Sequence, residues 1–192
     1  MTGPEPLPPL ATKEQYEAMT GTAAPANIDD LLNAASAGIR RYCGWHIAPN
    51  LSDLRVLDAT GGRTLVLPTL RLNQIESLSE VFGSTIIEFN PTTDLIYSRT
   101  GRVQKANYGY WGNGLANIRV KMMHGFDLAD VADLSQLILS TVARSVANPY
   151  GYTSQAVGGV TLSMGSAGSG SGVSFTDTQA YLLDSYRLER QP

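Results

Sequence analysis

The chain has 192 residues, 43% of them apolar, and a formal charge of −3 at neutral pH. That length supplies a core for one domain, or one domain with an appendage, and excludes a wholly disordered chain. Its 14 basic residues include only three lysines (Lys13, Lys105, Lys121) and form no run able to neutralise a row of phosphates, which argues against high-affinity nucleic-acid binding.

Charged residues make up 16% of the chain, against about 25% in an average soluble domain, and this favours a surface covered by neighbours in an obligate assembly. The one cysteine, Cys43, cannot make an internal disulfide, and no segment approaches the roughly 20 apolar residues needed to span a bilayer. The opening "MTGPEPLPPL" lacks the basic and apolar regions of a signal peptide. Synthesis in a reducing cytoplasm is therefore expected, with the sequon Asn50-Leu51-Ser52 unmodified.

Four prolines in residues 1–10 remove backbone donors and favour extended conformation, so residues 1–11 read as a proline-rich arm of the kind that reaches neighbouring subunits. The remainder, 12–192, reads as a single domain. Thr12 is placed to cap a short helix through Gln15 and Met19 that Gly21 closes.

The first strong helix is expected over 27–44. Asn27 is a suitable N-cap, and Asp29 and Asp30 face the positive end of the dipole. Ile28, Leu31, Leu32, Ala35, Ile39, Tyr42 and Cys43 follow the three-and-four spacing of one buried stripe. Gly44 suits a left-handed ending, with Arg40 and Arg41 at the negative end.

From about Arg55 to Phe126 the texture changes to short alternating or β-branched runs, predicting an antiparallel β block over 55–126. The runs are 63–68, 73–81, 85–90, 94–99 and 117–126, broken by Gly61-Gly62, Gly83-Ser84, Asn90-Pro91 and Thr100-Gly101. By its glycine content "NYGYWGNG" (107–114) reads as an exposed aromatic loop.

A second long helix is predicted over 128–148, with Val131, Leu134, Leu137, Ile138, Thr141, Val142 and Ser145 on one side and Asn148-Pro149 as its stop. "AVGGVTLSM" then reads as a strand. "GSAGSGSG" (165–172) has no apolar anchors and reads as a flexible loop. A last helix over 176–188 is announced by a capping box of Thr176 and Gln179, a staple from Phe175 to Ala180, and an apolar face of Leu182, Leu183 and Tyr186. The fold class is thus α+β, a small bundle of amphipathic helices with an inserted antiparallel β block.

Chemistry-bearing residues are sparse. In "RRYCGWHIAP" Cys43 and His46 lie three apart, as a nucleophile and base could, but Cys43 belongs to the apolar stripe and His46 follows the helix end. A dyad would also need an orienting group and an oxyanion site. A zinc site would need two more ligands, and only His124 and scattered carboxylates remain. The glycine-serine tract carries neither a phosphate-loop nor a Gly-x-Ser-x-Gly pattern. Asp29, Asp30, Asp127, Asp130 and Asp133 sit where helix starts need negative charge. Tyr108, Tyr110 and Trp111 suit either a protein contact or an ordinary surface loop, since the basic groove for stacking on nucleic acid is missing. No catalytic residue, cofactor or metal is expected.

The ordered set "AASAGIRRYCGWHIAP", "GGRTLVLPTLRLNQIESL", "VKMMHGFD", "LSQLILSTVARSVANPYG" and "GVSFTDTQAYLLDSYRL" resembles the head-to-tail connector, or adaptor, proteins of long-tailed bacteriophages infecting actinobacteria. The resemblance runs from about residue 27 to 190. It implies a structural virion protein, not an enzyme, that forms a ring of typically twelve subunits below the portal protein and passes the DNA channel to a stopper or tail-completion protein. DNA would pass without specific binding, since a slightly acidic lining does not hold it. The ring would be assembled in the host cytoplasm and lie in the head-tail neck of the virion, with no membrane involved. Regions rather than motifs carry over: Tyr186, Arg187 and Leu188 for portal docking, and Gly165, Ser166, Gly168, Ser169, Gly170, Ser171 and Gly172 for a channel loop. The β block of roughly 70 residues is longer than a minimal adaptor needs. Rival readings are a stopper or tail-completion protein and, more distantly, a small Cys/His enzyme using Cys43, His46 or His124.

Overall fold

The computed structural model describes residues 7–147, 154–157, 160–163 and 177–188. The chain packs as two compact units, one formed by Met1–Gly44 with Ala129–Arg187, the other by Trp45–Leu128 with the chain end from Leu188. The helical and β segments expected of a single domain over 12–192 thus each make a unit of their own.

The β unit holds seven strands: β1 (Leu51–Thr60), β2 (Thr64–Val66), β3 (Leu72–Phe82), β4 (Thr85–Phe89), β5 (Leu95–Tyr97), β6 (Arg102–Lys105) and β7 (Asn113–His124). They form a four-stranded sheet in the order β1-β7-β3-β4 and a three-stranded sheet in the order β2-β6-β5, every neighbouring pair antiparallel. Two strands, β1 and β6, fall outside the runs that alternation picks out. β1 is a sheet edge exposed on both faces through Leu54, Arg55 and Val56, and β6 is too short for a period to show. The block therefore starts before residue 55.

One core fills this unit. Leu72, Ile75 and Leu78 of β3 and Ile118, Val120 and Met122 of β7 meet Leu65, Leu95 and Val103 of the smaller sheet. Burying each such side chain stabilises by about 1.5–3 kcal/mol. Trp111 joins them and is only 2% exposed, so the expectation of an exposed 107–114 loop fails at that residue. Its glycines admit the turn, but the indole supplies more apolar area than the loop could leave in water. Tyr108 and Tyr110 do stay exposed, and β7 already starts at Asn113.

The helical unit holds α1 (Lys13–Thr20), α2 (Ile28–Cys43), α3 (Ala132–Ala147), α4 (Asp177–Asp184) and a hairpin of β8 (Ser154–Val157) and β9 (Val160–Ser163). α1 opens with a reciprocal cap: Thr12 Oγ1 accepts from Gln15 N at 3.3 Å and Gln15 Oε1 accepts from Thr12 N at 2.8 Å. α2 starts after Asn27, whose side chain makes no capping bond, so the acidic first turn carries that end. Its stripe buries Ile28, Leu32, Ala35, Ile39 and Cys43, with Leu31 half-buried and Tyr42 at the exposed margin. A 3-10 turn, Leu128–Val131, leads into α3, which buries Leu134, Leu137, Ile138 and Val142 and packs on α1 and α2. α4 packs on α2 through Leu183. The proposed cap at Thr176, the stop at Asn148-Pro149 and the loop 165–172 lie outside the described residues.

The proline-rich segment is anchored before its expected end at residue 11. Leu10 and Ala11 are buried; Leu10 N donates to Ser36 Oγ of α2 at 2.9 Å, and Ser135 Oγ of α3 donates to Leu10 O at 2.7 Å. Arg40 also donates to Pro8 O at 2.7 Å. Proline count says nothing of the leucine that follows, and it is Leu10 that fills the gap between two helices.

Candidate functional site

Sequence reasoning singled out four places, and the first is the end of α2. Gly44, at φ 81°, terminates the helix as expected. Cys43 is fully buried in the helical unit, where its Sγ lies 3.6 Å from Leu183 O. Burial pushes its thiol up to about 12, so at neutral pH it is a protonated packing group rather than a thiolate nucleophile.

Trp45 and His46 belong to the β unit. There His46 and His124 sit edge to face with ring centroids 4.4 Å apart, Trp45 stacks on His124 at 6.4 Å, and Phe126 closes the cluster at 6.0 Å from Trp45. His46 Nε2 lies 2.9 Å from Pro49 O and 3.2 Å from His124 O. His124 Nε2 faces Asp53 Oδ2 at 3.7 Å. Desolvation first, and then the charge of His46, drive His124 down to about 4, so both the ring and its position suit a neutral core histidine. Among the described residues there is no group of three or more His, Cys, Asp or Glu arranged to hold a metal ion.

The second place is the aromatic segment, and here the structure reveals residues that the sequence reading missed. Glu80 of β3 is completely buried, yet its Oε2 lies 2.7 Å from Lys105 Nζ of β6, and its Oε1 accepts from Gly112 N. Lys105 also donates to Tyr110 O at 2.9 Å, and its ammonium sits 4.7 Å from the Trp111 ring centroid and 5.0 Å from that of Phe89. The ion pair thus ties the larger sheet to the smaller one and fixes the segment that carries Tyr108 and Tyr110. The signal was strand parity: Glu80 shares the face of Leu78, the core face.

The third place is Tyr186, Arg187 and Leu188. Tyr186 is half-buried, and its hydroxyl donates to both carboxylate oxygens of Asp133 on α3, at 3.0 and 2.9 Å. Burial, and then that hydrogen bond, push the phenol up to about 12. Arg187 lies over the Tyr42 ring at 5.4 Å and 3.8 Å from Asp184, while Tyr42 donates to Asp184 at 2.7 Å. Leu188 is half-buried. These contacts tie the end of α4 to α2 and α3. The fourth place, Gly165, Ser166, Gly168, Ser169, Gly170, Ser171 and Gly172, lies outside the described residues.

What the β unit offers outward is apolar surface: Leu54, Val56, Ile86, Ile96 and Leu115 are 64%, 54%, 53%, 54% and 86% exposed. Apolar side chains exposed to this extent are suited to a protein contact. Among the described residues no helix is long and apolar enough to cross a membrane.

No protein-family model matches the chain, and neither does any curated protein. Solved structures do. One is a chain of the neck of an empty gene transfer agent (GTA) particle, computed with C6 symmetry. It is 14% identical, with a TM-score of 0.61 over 95% of this chain and 92% of that one. Another is a chain of the neck of a native GTA particle, computed with C12 symmetry, 15% identical, with a TM-score of 0.58 over 93% of this chain and 89% of that one. The mixed helical and antiparallel architecture of this chain is therefore a fold found in the necks of phage-like particles.

Proposed function

We propose that this protein is a structural component of the head-tail neck of a phage-like particle, an adaptor that forms a homo-oligomeric ring, of twelve subunits, below the portal protein. One observation carries the reading: the fold match spans nearly the whole of both chains, so it includes the inserted β block and not the helices alone. The symmetry of those necks, C6 and C12, supports a ring, and the sequence resemblance to actinobacteriophage adaptors points the same way. Exposed Leu54, Ile86 and Leu115 supply surface for such contacts, and repeating one head-to-tail contact closes a ring.

In this reading the ring extends the DNA channel and hands it to a stopper or tail-completion protein, and DNA slides past a weakly charged lining without specific binding. Tyr186, Arg187 and Leu188 contribute to portal docking, the 165–172 segment faces the channel, and assembly takes place in the host cytoplasm before the ring becomes part of the virion. The role is structural, without catalysis.

Native mass spectrometry of the protein with and without purified portal tests the proposal. Closed rings in either condition, and binding to portal, are expected. Monomers in both conditions overturn it, while rings that ignore portal but bind tail-completion protein reassign the chain as a stopper.

A further inference from the structure

The four-stranded sheet ends in two unpaired edges, β1 and β4. Natural edges are usually blunted by charge, proline or a covering segment, because their free backbone groups invite another strand. β4 has no proline and a single charge, Glu88. Its sequence is TIIEF, Thr85 to Glu88 are all exposed, and both Ile86 and Ile87 stand in solvent, 53% and 42% exposed.

The hairpin geometry shows which backbone groups are free. Phe82 pairs with Thr85 across the two-residue Gly83-Ser84 turn, where Gly83 at φ 57° supplies the positive first position of a type II′ turn. Residues flanking such a turn exchange both hydrogen bonds, and the pattern alternates, so Thr85, Ile87 and Phe89 bond inward to β3. Ile86 and Glu88 therefore aim their N–H and C=O groups away from the sheet.

The polarity of the sheet selects the strand that fits. With four strands alternating in direction, β4 runs opposite to β1, so β1 of a second copy continues the antiparallel order. Side chains agree. Cross-strand partners share a face, which places Val56, Arg119, Ser79 and Glu88 in one rank of the outer face, with Leu54 and Ile86 on that same face. Joining β4 to a second copy's β1 brings the exposed Ile86 beside exposed Leu54 and Val56. With Ile86 opposite Val56, Glu88 falls opposite Leu54, so its rank carries its own Arg119 on one side and the neighbour's Lys121 on the other. Pairing β4 with β4 would instead gather two Glu88 carboxylates on one face.

We propose that the β4 edge of one subunit pairs antiparallel with the β1 edge of the next copy, so that neighbouring sheets run on into each other. The inference rests on the ring reading above and gives it a contact. Such a joint is heterologous, as a closing ring requires.

Two experiments on the full chain test it. Ile86→Pro removes an outward N–H from an edge strand, a place where proline is tolerated. The subunit is expected to keep its circular dichroism, while rings counted by native mass spectrometry fall at least tenfold. Second, the ring-forming protein carrying Leu54→Cys with Ile86→Cys, or Val56→Cys with Ile86→Cys, is oxidised; Cys43, buried and protonated, stays silent. A covalent ladder beyond dimer is expected from one of the two pairs. Rings that persist in Ile86→Pro, or rings that yield no ladder with either pair, overturn the edge contact and leave the ring reading standing. A single Ile86→Cys variant that forms a strong dimer shows β4 meeting β4 and overturns it as well. Absence of rings from the unaltered protein, with and without portal, removes both.

Discussion

Glu80 and Lys105 form the one ion pair among the described residues in which a carboxylate is wholly buried, Oε2 to Nζ at 2.7 Å, and the pair joins β3 to β6. Removing one member leaves the other charge desolvated and uncompensated. Lys105→Met is therefore expected to cost about 3–5 kcal/mol in urea unfolding, and Glu80→Gln somewhat less, because the amide still accepts from Gly112. Combining Lys105→Met with Glu80→Leu is expected to recover much of the loss. A double variant as unstable as the sum of the singles would show that the pair acts through packing alone.

Leu10 is held by two serines on two helices, which makes the residue after the prolines part of the core. Ser36→Ala leaves the buried Leu10 N–H without its acceptor and is expected to destabilise by about 1–3 kcal/mol. Truncation before residue 7 is expected to cost far less than truncation before residue 12. Equal melting temperatures for the two truncations would refute the anchor.

The histidine cluster predicts acid sensitivity with a defined sign. His124 takes a proton near 6.5 when unfolded and only near 4 when folded, so between those values the unfolded chain binds more protons. Stability is full above about pH 6.5 and declines as pH falls toward 4, by about 1.4 kcal/mol for each pH unit well inside that window. Asp53 partly offsets the shift, and Arg55 adds to it. In urea titrations at pH 7, 6, 5 and 4, His124→Gln is expected to lose less stability across the series than the unaltered chain. Parallel losses would assign the acid sensitivity elsewhere.

Tyr186→Phe keeps the ring and removes only the hydroxyl that donates to Asp133. A loss of about 1–2 kcal/mol is expected from its charge-assisted hydrogen bonds, measured by thermal unfolding. Portal affinity separates the roles: a Tyr186→Phe protein that folds and binds portal undiminished would confine this hydroxyl to holding α4 in place.

Helices were legible because their signals are local. The α2 stripe, the acidic first turn and Gly44 all lie within one short window, and the structure places that helix at Ile28–Cys43. The β unit was legible as a class but not strand by strand. β1 escapes because an edge strand has no buried face to impose alternation on Leu54, Arg55 and Val56. Trp111 and Glu80 escape for a different reason: each is buried by partners 25 or more residues away or on another sheet, and a glycine-rich neighbourhood or a carboxylate says surface until those partners are known. The assembly surface was legible only as a shortage of charge, since which apolar residues face outward depends on sheet register.

The inserted unit brings its two ends together. Phe126 N donates to Ile47 O at 2.8 Å, and Gly125, at φ 106°, comes so close to His46 and Pro49 that a side chain there would collide with both. A module whose incoming and outgoing chains are stitched side by side makes almost no demand on the length of its host's connection. Such a cassette can be lengthened, shortened or exchanged in evolution while the helices around the splice keep their sequence, and a chain with residues 46–126 replaced by a few glycines is the direct way to see whether this host tolerates the excision.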